Sequence, residues 1–219
     1  MNEHSGHHHH GHGHHHDRGV KAMLRYLRHA PGMWRSEVND AVVDRLRPTR
    51  GEHAVDLGAG LGPACVRAAR TGASVTAVEP TPYMRAILRL RARASRRGRI
   101  TVADGAAEAI PVPDATVDVL WATNSMHHWT DTGRAVTEIR RVLRPGGRVL
   151  LVDERFGDPE HPDHERFARR GSLEDHGFHE ADASEMGRLL TGAGFVDVDT
   201  STDHLAGRPV VAVEAVAPR

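Results

Sequence analysis

Apolar positions along this chain keep two rhythms that alternate from about residue 36 onward. Val38, Val42, Val43 and Leu46 recur at helical spacing and predict a helix over about 36–46, ended by Pro48. "HAVDL" (53–57) is a short apolar run of the kind that forms a buried strand. The alternation then repeats: strands are predicted at 74–80, 99–105, 117–124 and 148–154, with helices at 63–71, 82–95 and 132–143. Pro82 suits a first helical turn, and Pro145-Gly146-Gly147 reads as the turn into the fifth strand. A last helix over 183–192 precedes strands at 195–201 and 209–216. Only "TDHLAGR" separates those two strands, which predicts an antiparallel hairpin at the sheet edge. Ahead of all this, Val20, Met23, Leu24 and Leu27 predict a short amphipathic helix stopped by Pro31-Gly32.

Strands separated by helices at this interval describe an α/β fold: a Rossmann-like, open seven-stranded sheet, mostly parallel, with helices on both faces. The pattern fits a single domain over 20–219, with a helical cap at 20–47 and a polar, Gly- and Pro-punctuated variable segment at 155–182. That segment reads as a loop or short helical excursion, placed to act as a small lid. Residues 1–19 form a hydrophilic tail with nothing to pack.

Composition narrows the function classes. Twenty-nine basic residues balance 29 acidic ones, so overall charge gives no push toward nucleic acid. Locally, "RAILRLRARASRRGR" (85–99) holds seven arginines with no aromatic among them, and reads as a solvated helix face followed by a basic turn. No run approaches the ~18 apolar residues of a membrane span, and no apolar secretory h-region opens the chain, so a cytoplasmic location is expected. Cys65, the single cysteine, excludes an intramolecular disulfide and reads as a small buried hydrophobe. Monomer and homodimer are both compatible with the sequence.

Nine of the 18 histidines lie within residues 4–16. The imidazoles of His7, His8, His9, His10, His12, His14, His15 and His16 are suited to nickel, zinc or copper. No metal site is expected in the folded domain. His161, His164, His176 and His179 pair at three-residue spacing, but Pro162 and Gly177 interrupt the pairs, and solvated surface is the plainer reading.

Parallel open sheets bind ligands at the carboxyl ends of their strands. Here those ends carry Asp56 to Gly62, Glu79-Pro80, Asp104-Gly105, Asn124 to His128 and Asp153-Glu154. Gly58, Gly60 and Gly62 let a ligand lie against backbone. Counted from Gly58, the sixth position of a dinucleotide fingerprint is Pro63, where glycine or alanine is required. Asp56 would repel a pyrophosphate but welcome an ammonium or sulfonium group. Glu79, 17 residues beyond Gly62, ends the second strand and can accept both hydroxyls of a ribose.

These stretches together resemble the class I S-adenosylmethionine-dependent methyltransferases that act mostly on small metabolites. "VDLGAGLG" (55–62) resembles the family's first motif and "VTAVEP" (75–80) its acidic second-strand end. "VADGAAEAIPVPDATVDVLWATNSMHHW" (102–129) resembles the block spanning the third and fourth strands, and "EIRRVLRPGGRVLLVD" (138–153) the final signature. The likeness covers roughly residues 36–216. It implies S-adenosyl-L-methionine as cofactor, a small-molecule acceptor, and a role for each tip residue. Asp56 would hold the methionine ammonium, directly or through water, with Gly58, Ala59, Gly60 and Gly62 lining the cofactor. Glu79 would take the ribose hydroxyls beside Pro80. Asp104 would accept from the adenine amino group, with Gly105 and Ala106 nearby and Met84 covering a face of the base. Asn124 would sit by the methionine portion.

Methyl transfer from a sulfonium is a direct displacement, so a general base is needed only for an acceptor that arrives protonated. His127 and His128 follow the fourth strand and are the candidates by position; bonding to backbone or packing on Trp129 is their structural alternative. Arg28, His29, Trp34 and Arg35 are placed to close over the cofactor. Two other functions compete. A nicotinamide-dependent oxidoreductase must contend with Pro63, Asp56 and the lack of a Tyr-x-x-x-Lys arrangement. A non-catalytic, cofactor- or metal-responsive regulator would use the histidine tail as its sensor.

Overall fold

A computed structural model describes residues 36–95, 99–168 and 181–219. The tail, the predicted first helix, Arg28, His29, Trp34, Arg35, His176 and His179 lie outside the described residues. Seven strands form one sheet: β1 (His53–Leu57), β2 (Ser74–Val78), β3 (Arg99–Ala103), β4 (Val117–Thr123), β5 (Leu143–Glu154), β6 (Val196–Leu205) and β7 (Arg208–Val216). Their order is β3-β2-β1-β4-β5-β7-β6. The first five strands run parallel, and β7 pairs antiparallel with both β5 and β6. The chain leaves β1 toward one edge and returns through β4 toward the other, so the tips of β1 and β4 flank a topological switch point.

Strand periodicity sorts the core into two layers. Val55, Leu57, Leu120, Ala122, Val149 and Leu151 point to the face covered by α4 (Thr132–Val142) and α6 (Ala183–Gly192). Ala54, Val119, Trp121, Leu150 and Val152 point to the other face, covered by α1 (Glu37–Leu46), α2 (Pro63–Ala69) and α3 (Pro82–Ala94). α5 (His164–Ala168) is a short helix within the variable segment. Side-chain caps begin three of the helices: Ser36 accepts from Asn39 N, Asp131 from Arg134 N, and Asp182 from Ser184 N and Glu185 N.

Three expectations change. Pro145-Gly146-Gly147 does not precede the fifth strand but lies inside it, as a bulge between the pairs Val117–Leu143 and Val119–Arg148. The last hairpin is tighter than "TDHLAGR" suggests. β6 runs on to Leu205, and the turn is Ala206-Gly207 alone, with φ of 53° and 73°, the two-residue geometry that matches strand twist. The arginines of 85–95 are not all solvated: Arg85 is buried, and Arg91 turns inward to donate to the Leu61 carbonyl at 2.5 Å.

Candidate active site at the strand tips

The turn after β1 is built by close contact. Gly58 (φ 75°) passes so near Ser125 that a Cβ there would meet the serine Cβ at 2.5 Å. Gly62 (φ 73°) caps α2, and a Cβ on it would meet Leu88 Cδ1 at 2.2 Å. Between them, the Gly60 N–H donates to Glu79 Oε2 at 2.8 Å, and a Cβ on Gly60 would meet nothing within 4 Å. The glycine turn is thereby pinned to the β2 tip while one side of it stays open. Glu79 Oε1 accepts from Thr81 N at 2.7 Å, and the residue is 4% exposed.

Asp56 is buried under this turn, on the face covered by α2. The Cys65 thiol donates to its Oδ2 at 2.9 Å, so this cysteine is more than a space-filler. Trp121 pairs with Asp56 across the β1–β4 ladder. Its indole N–H favours the ionised carboxylate without reaching hydrogen-bond geometry. Burial, with the Glu79 charge adding to it, outweighs these donors and pushes the Asp56 carboxyl up to about 7. Burial and the neighbouring carboxylate also raise the Cys65 thiol well above the usual thiol range.

At the β3 tip, Asp104 is 70% exposed, and Gly105 and Ala106 follow it half-buried. Met84 is half-buried in the first turn of α3, and Pro80 is exposed. Asp56, Glu79 and Asp104 therefore lie at the tips of three adjacent strands, as the sequence reading expects.

Two further tips carry arrangements that sequence alone does not disclose. Asn124 has a left-handed backbone (φ 52°), and its amide is committed to β5: Nδ2 donates to Glu154 Oε1 at 2.6 Å, and Oδ1 accepts from Glu154 N at 2.8 Å. Beside it, Asp153 organises the 3₁₀ turn Met126–His128. Its Oδ1 accepts from Ser125 N and Met126 N, and its Oδ2 from His127 N at 3.0 Å. The His127 Nδ1 meets the same Oδ2 at 2.8 Å. A carboxylate only accepts, so the neutral His127 ring carries its proton on Nδ1 and keeps Nε2 as its basic atom. His128, exposed, lies with its ring 4.1 Å from that of His127. His161, read as surface, is instead buried, on Glu154 Oε2 at 3.0 Å. Its Nδ1 accepts from Asp163 N at 3.1 Å, which ties the variable segment to the β5 tip. Among the described residues no group of three or more His, Cys, Asp or Glu could hold a metal ion. Nor is any helix among them long and apolar enough to cross a membrane.

Residues 55–151 match the methyltransferase domain family. An uncharacterized methyltransferase of Mycobacterium tuberculosis is 40% identical over 119 residues, 52% of this chain and 46% of that protein. The 27-O-demethylrifamycin SV methyltransferase of Amycolatopsis mediterranei is 34% identical over 124 residues, 53% of this chain and 45% of its own length. The chain thus spans about half the length of the curated relatives it matches. Among solved structures, a phosphoethanolamine N-methyltransferase of Haemonchus contortus, in complex with S-adenosyl-L-methionine, shares the fold with a TM-score of 0.68. That match is 18% identical and covers 83% of this chain and 52% of the other.

Proposed function

We propose that this chain, residues 55–151 of which match the methyltransferase domain family, is a class I S-adenosylmethionine-dependent methyltransferase that methylates a small-molecule nucleophile. The observation that carries this reading is the row of carboxylates, Asp56, Glu79 and Asp104, at the tips of β1, β2 and β3 around a glycine turn open on one side. The donor set fits the cofactor chemically. Acidic groups suit its ammonium, its ribose hydroxyls and its adenine amino group, while a pyrophosphate would meet like charge. Pro63, the first residue of α2, keeps the departure from the dinucleotide fingerprint, and nothing at the site favours a nicotinamide.

S-adenosylmethionine supplies, when bound, an electrophilic methyl group on a sulfonium. Glu79 holds the ribose, Asp104 the adenine edge with Gly105, Ala106, Pro80 and Met84 around the base, and the turn from Gly58 through Ala59 and Gly60 to Gly62 lines the rest. Asp56, whose carboxyl is pushed up to about 7 by burial, acts from beneath the turn in its ionised form. Asn124 contributes by fixing the β4 tip to β5, its side chain being spent on Glu154. Alignment of the reacting atoms is the chief service such a site performs, and can be worth ~7–11 kcal/mol. The acidic groups favour a cationic ground state, so they serve binding more than the displacement itself. For an acceptor that arrives protonated, His127 is the general base, held by Asp153 in the tautomer that presents Nε2, with His128 beside it. Residues 155–168 of the variable segment are anchored to the β5 tip through His161. The imidazoles of His7 to His16 are suited to nickel, zinc or copper.

Calorimetry on the full chain tests the reading. S-adenosylhomocysteine should bind in the micromolar range, NADH should not, and Glu79→Ala should abolish the former. Nickel uptake should disappear on removal of residues 1–17 while the nucleoside affinity stays. Uptake of NADH in preference to the thioether would refute the cofactor assignment.

A further inference from the structure

We propose that Arg85 is a specificity-determining residue of the adenosine pocket, one that aims the Asp104 carboxylate at the base. The inference rests on the cofactor reading above and goes beyond it, because Asp104 alone is a poor anchor. It is 70% exposed and follows the last residue of β3, where a lone carboxylate would sample many directions.

Arg85 removes that freedom. It sits one turn into α3, on the face that packs onto the sheet, with a side chain 9% exposed. One guanidinium nitrogen, Nη2, donates to Asp104 Oδ2 at 2.8 Å, and Nη1 faces Oδ1 at 2.8 Å, so the two planar groups meet as a fork. The same Nη1 donates to the Glu79 carbonyl at 2.8 Å and the Pro80 carbonyl at 2.6 Å. A single buried cation thus joins the β2 tip, whose side chain takes the ribose, to the β3 tip, whose carboxylate takes the base.

Chemistry explains why arginine stands here. Its planar fork serves a carboxylate and backbone carbonyls together, a geometry a lysine ammonium cannot reproduce. The guanidinium also keeps its charge when buried, so Asp104 faces a fixed cation on one side. Each carboxylate oxygen retains acceptor capacity on its outer side, toward solvent, where an amino group can donate. The price of the arrangement is visible: Arg85 Nε is buried without a hydrogen-bond partner among the described residues. A helix position facing a core would ordinarily be apolar, and Leu88, three residues on, is fully buried.

Calorimetric binding of S-adenosylhomocysteine and of its deaminated analogue, S-inosylhomocysteine, tests the assignment on the full chain. The two differ where the adenine amino group would meet Asp104. Wild type should prefer the adenine form by at least about tenfold, the scale of one hydrogen bond to a charged group. Arg85→Leu should weaken the adenine form about tenfold, leave the inosine form nearly unchanged, and so erase the preference. Arg85→Lys should fall between. Asp104→Asn, at an exposed position, should erase the preference in wild type and add nothing in the Arg85→Leu background. If Arg85→Leu fails to fold, Arg85→Lys and Asp104→Asn carry the same comparison. Equal weakening of both nucleosides in the Arg85 variants would mean a merely structural arginine, and no weakening an irrelevant one; either overturns the proposal. Failure of wild type to bind S-adenosylhomocysteine at all would overturn the cofactor reading first, and this inference with it.

Discussion

Replacing Asp56 by asparagine should remove a loss of stability that the wild type suffers as pH rises. Burial and the Glu79 charge lift the folded-state pKa of Asp56 from 3.8 to about 7, against partial opposition from the Cys65 and Trp121 donors. Between those two values the folded chain holds a proton at this site that the unfolded chain has released. Stability therefore declines with pH through that window, and the decline ends above the folded value. At 1.36 kcal/mol per unit, the whole shift corresponds to about 4 kcal/mol. Of this, about 2.5 kcal/mol falls between pH 5 and pH 8. Asp56→Asn keeps the shape and an oxygen to accept from Cys65, but carries no titratable proton. Urea unfolding of both proteins at pH 5, 6, 7 and 8, with unchanged denaturant slopes, isolates the contribution of this one group. Wild type should lose about 2.5 kcal/mol relative to the variant across that range. Parallel curves, offset by a constant, would refute the argument.

Two other substitutions probe the walls of the site. Gly62→Ala forces a left-handed alanine and drives its Cβ toward Leu88 Cδ1; a loss of at least about 2 kcal/mol in urea unfolding is expected, and a loss well under 1 would contradict the close approach. Asp153→Asn should cost about 2–3 kcal/mol, because its amide turns a donor toward a carboxylate site that accepts four N–H groups. His127→Ala, which removes one of those four, should cost less by the same measurement; the reverse order would place the importance of the pair in the ring rather than in the acid.

Much of the site was legible because strand tips and glycine turns are local features. Asp56, Glu79 and Asp104 each end a short apolar run, and a parallel sheet brings such ends together whatever the helices do between them. Arg85 was hidden by its own residue type. In a segment dense with arginine the helical period marks a polar face, and only the tertiary structure reveals that one member points at the sheet. Asp153 was visible as a strand end but not as the acceptor for three successive backbone N–H groups, since that depends on β4 and β5 lying side by side. His161 looked like surface because Pro162 and its polar neighbours promise solvent, whereas Glu154 of β5, which also accepts from Arg208 of β7, draws it inward. The bulge at Pro145-Gly146-Gly147 was missed for a similar reason: Gly146 N donates to Ala217 O and Ala217 N to Gly147 O, contacts with the residue that follows β7, a strand made about 60 residues later.

That late strand has a bearing on how the chain is made. β7 is the penultimate strand in space although it is the final one in sequence, and β5 has no neighbour on that side until it arrives. A polypeptide emerging from the ribosome must therefore carry Val149 to Val152, all four buried in the finished sheet, beside an unoccupied row of backbone donors and acceptors. Translation halted near the hairpin would leave that row to pair with whatever extended segment comes within reach, so premature termination threatens solubility well before it touches the strand tips.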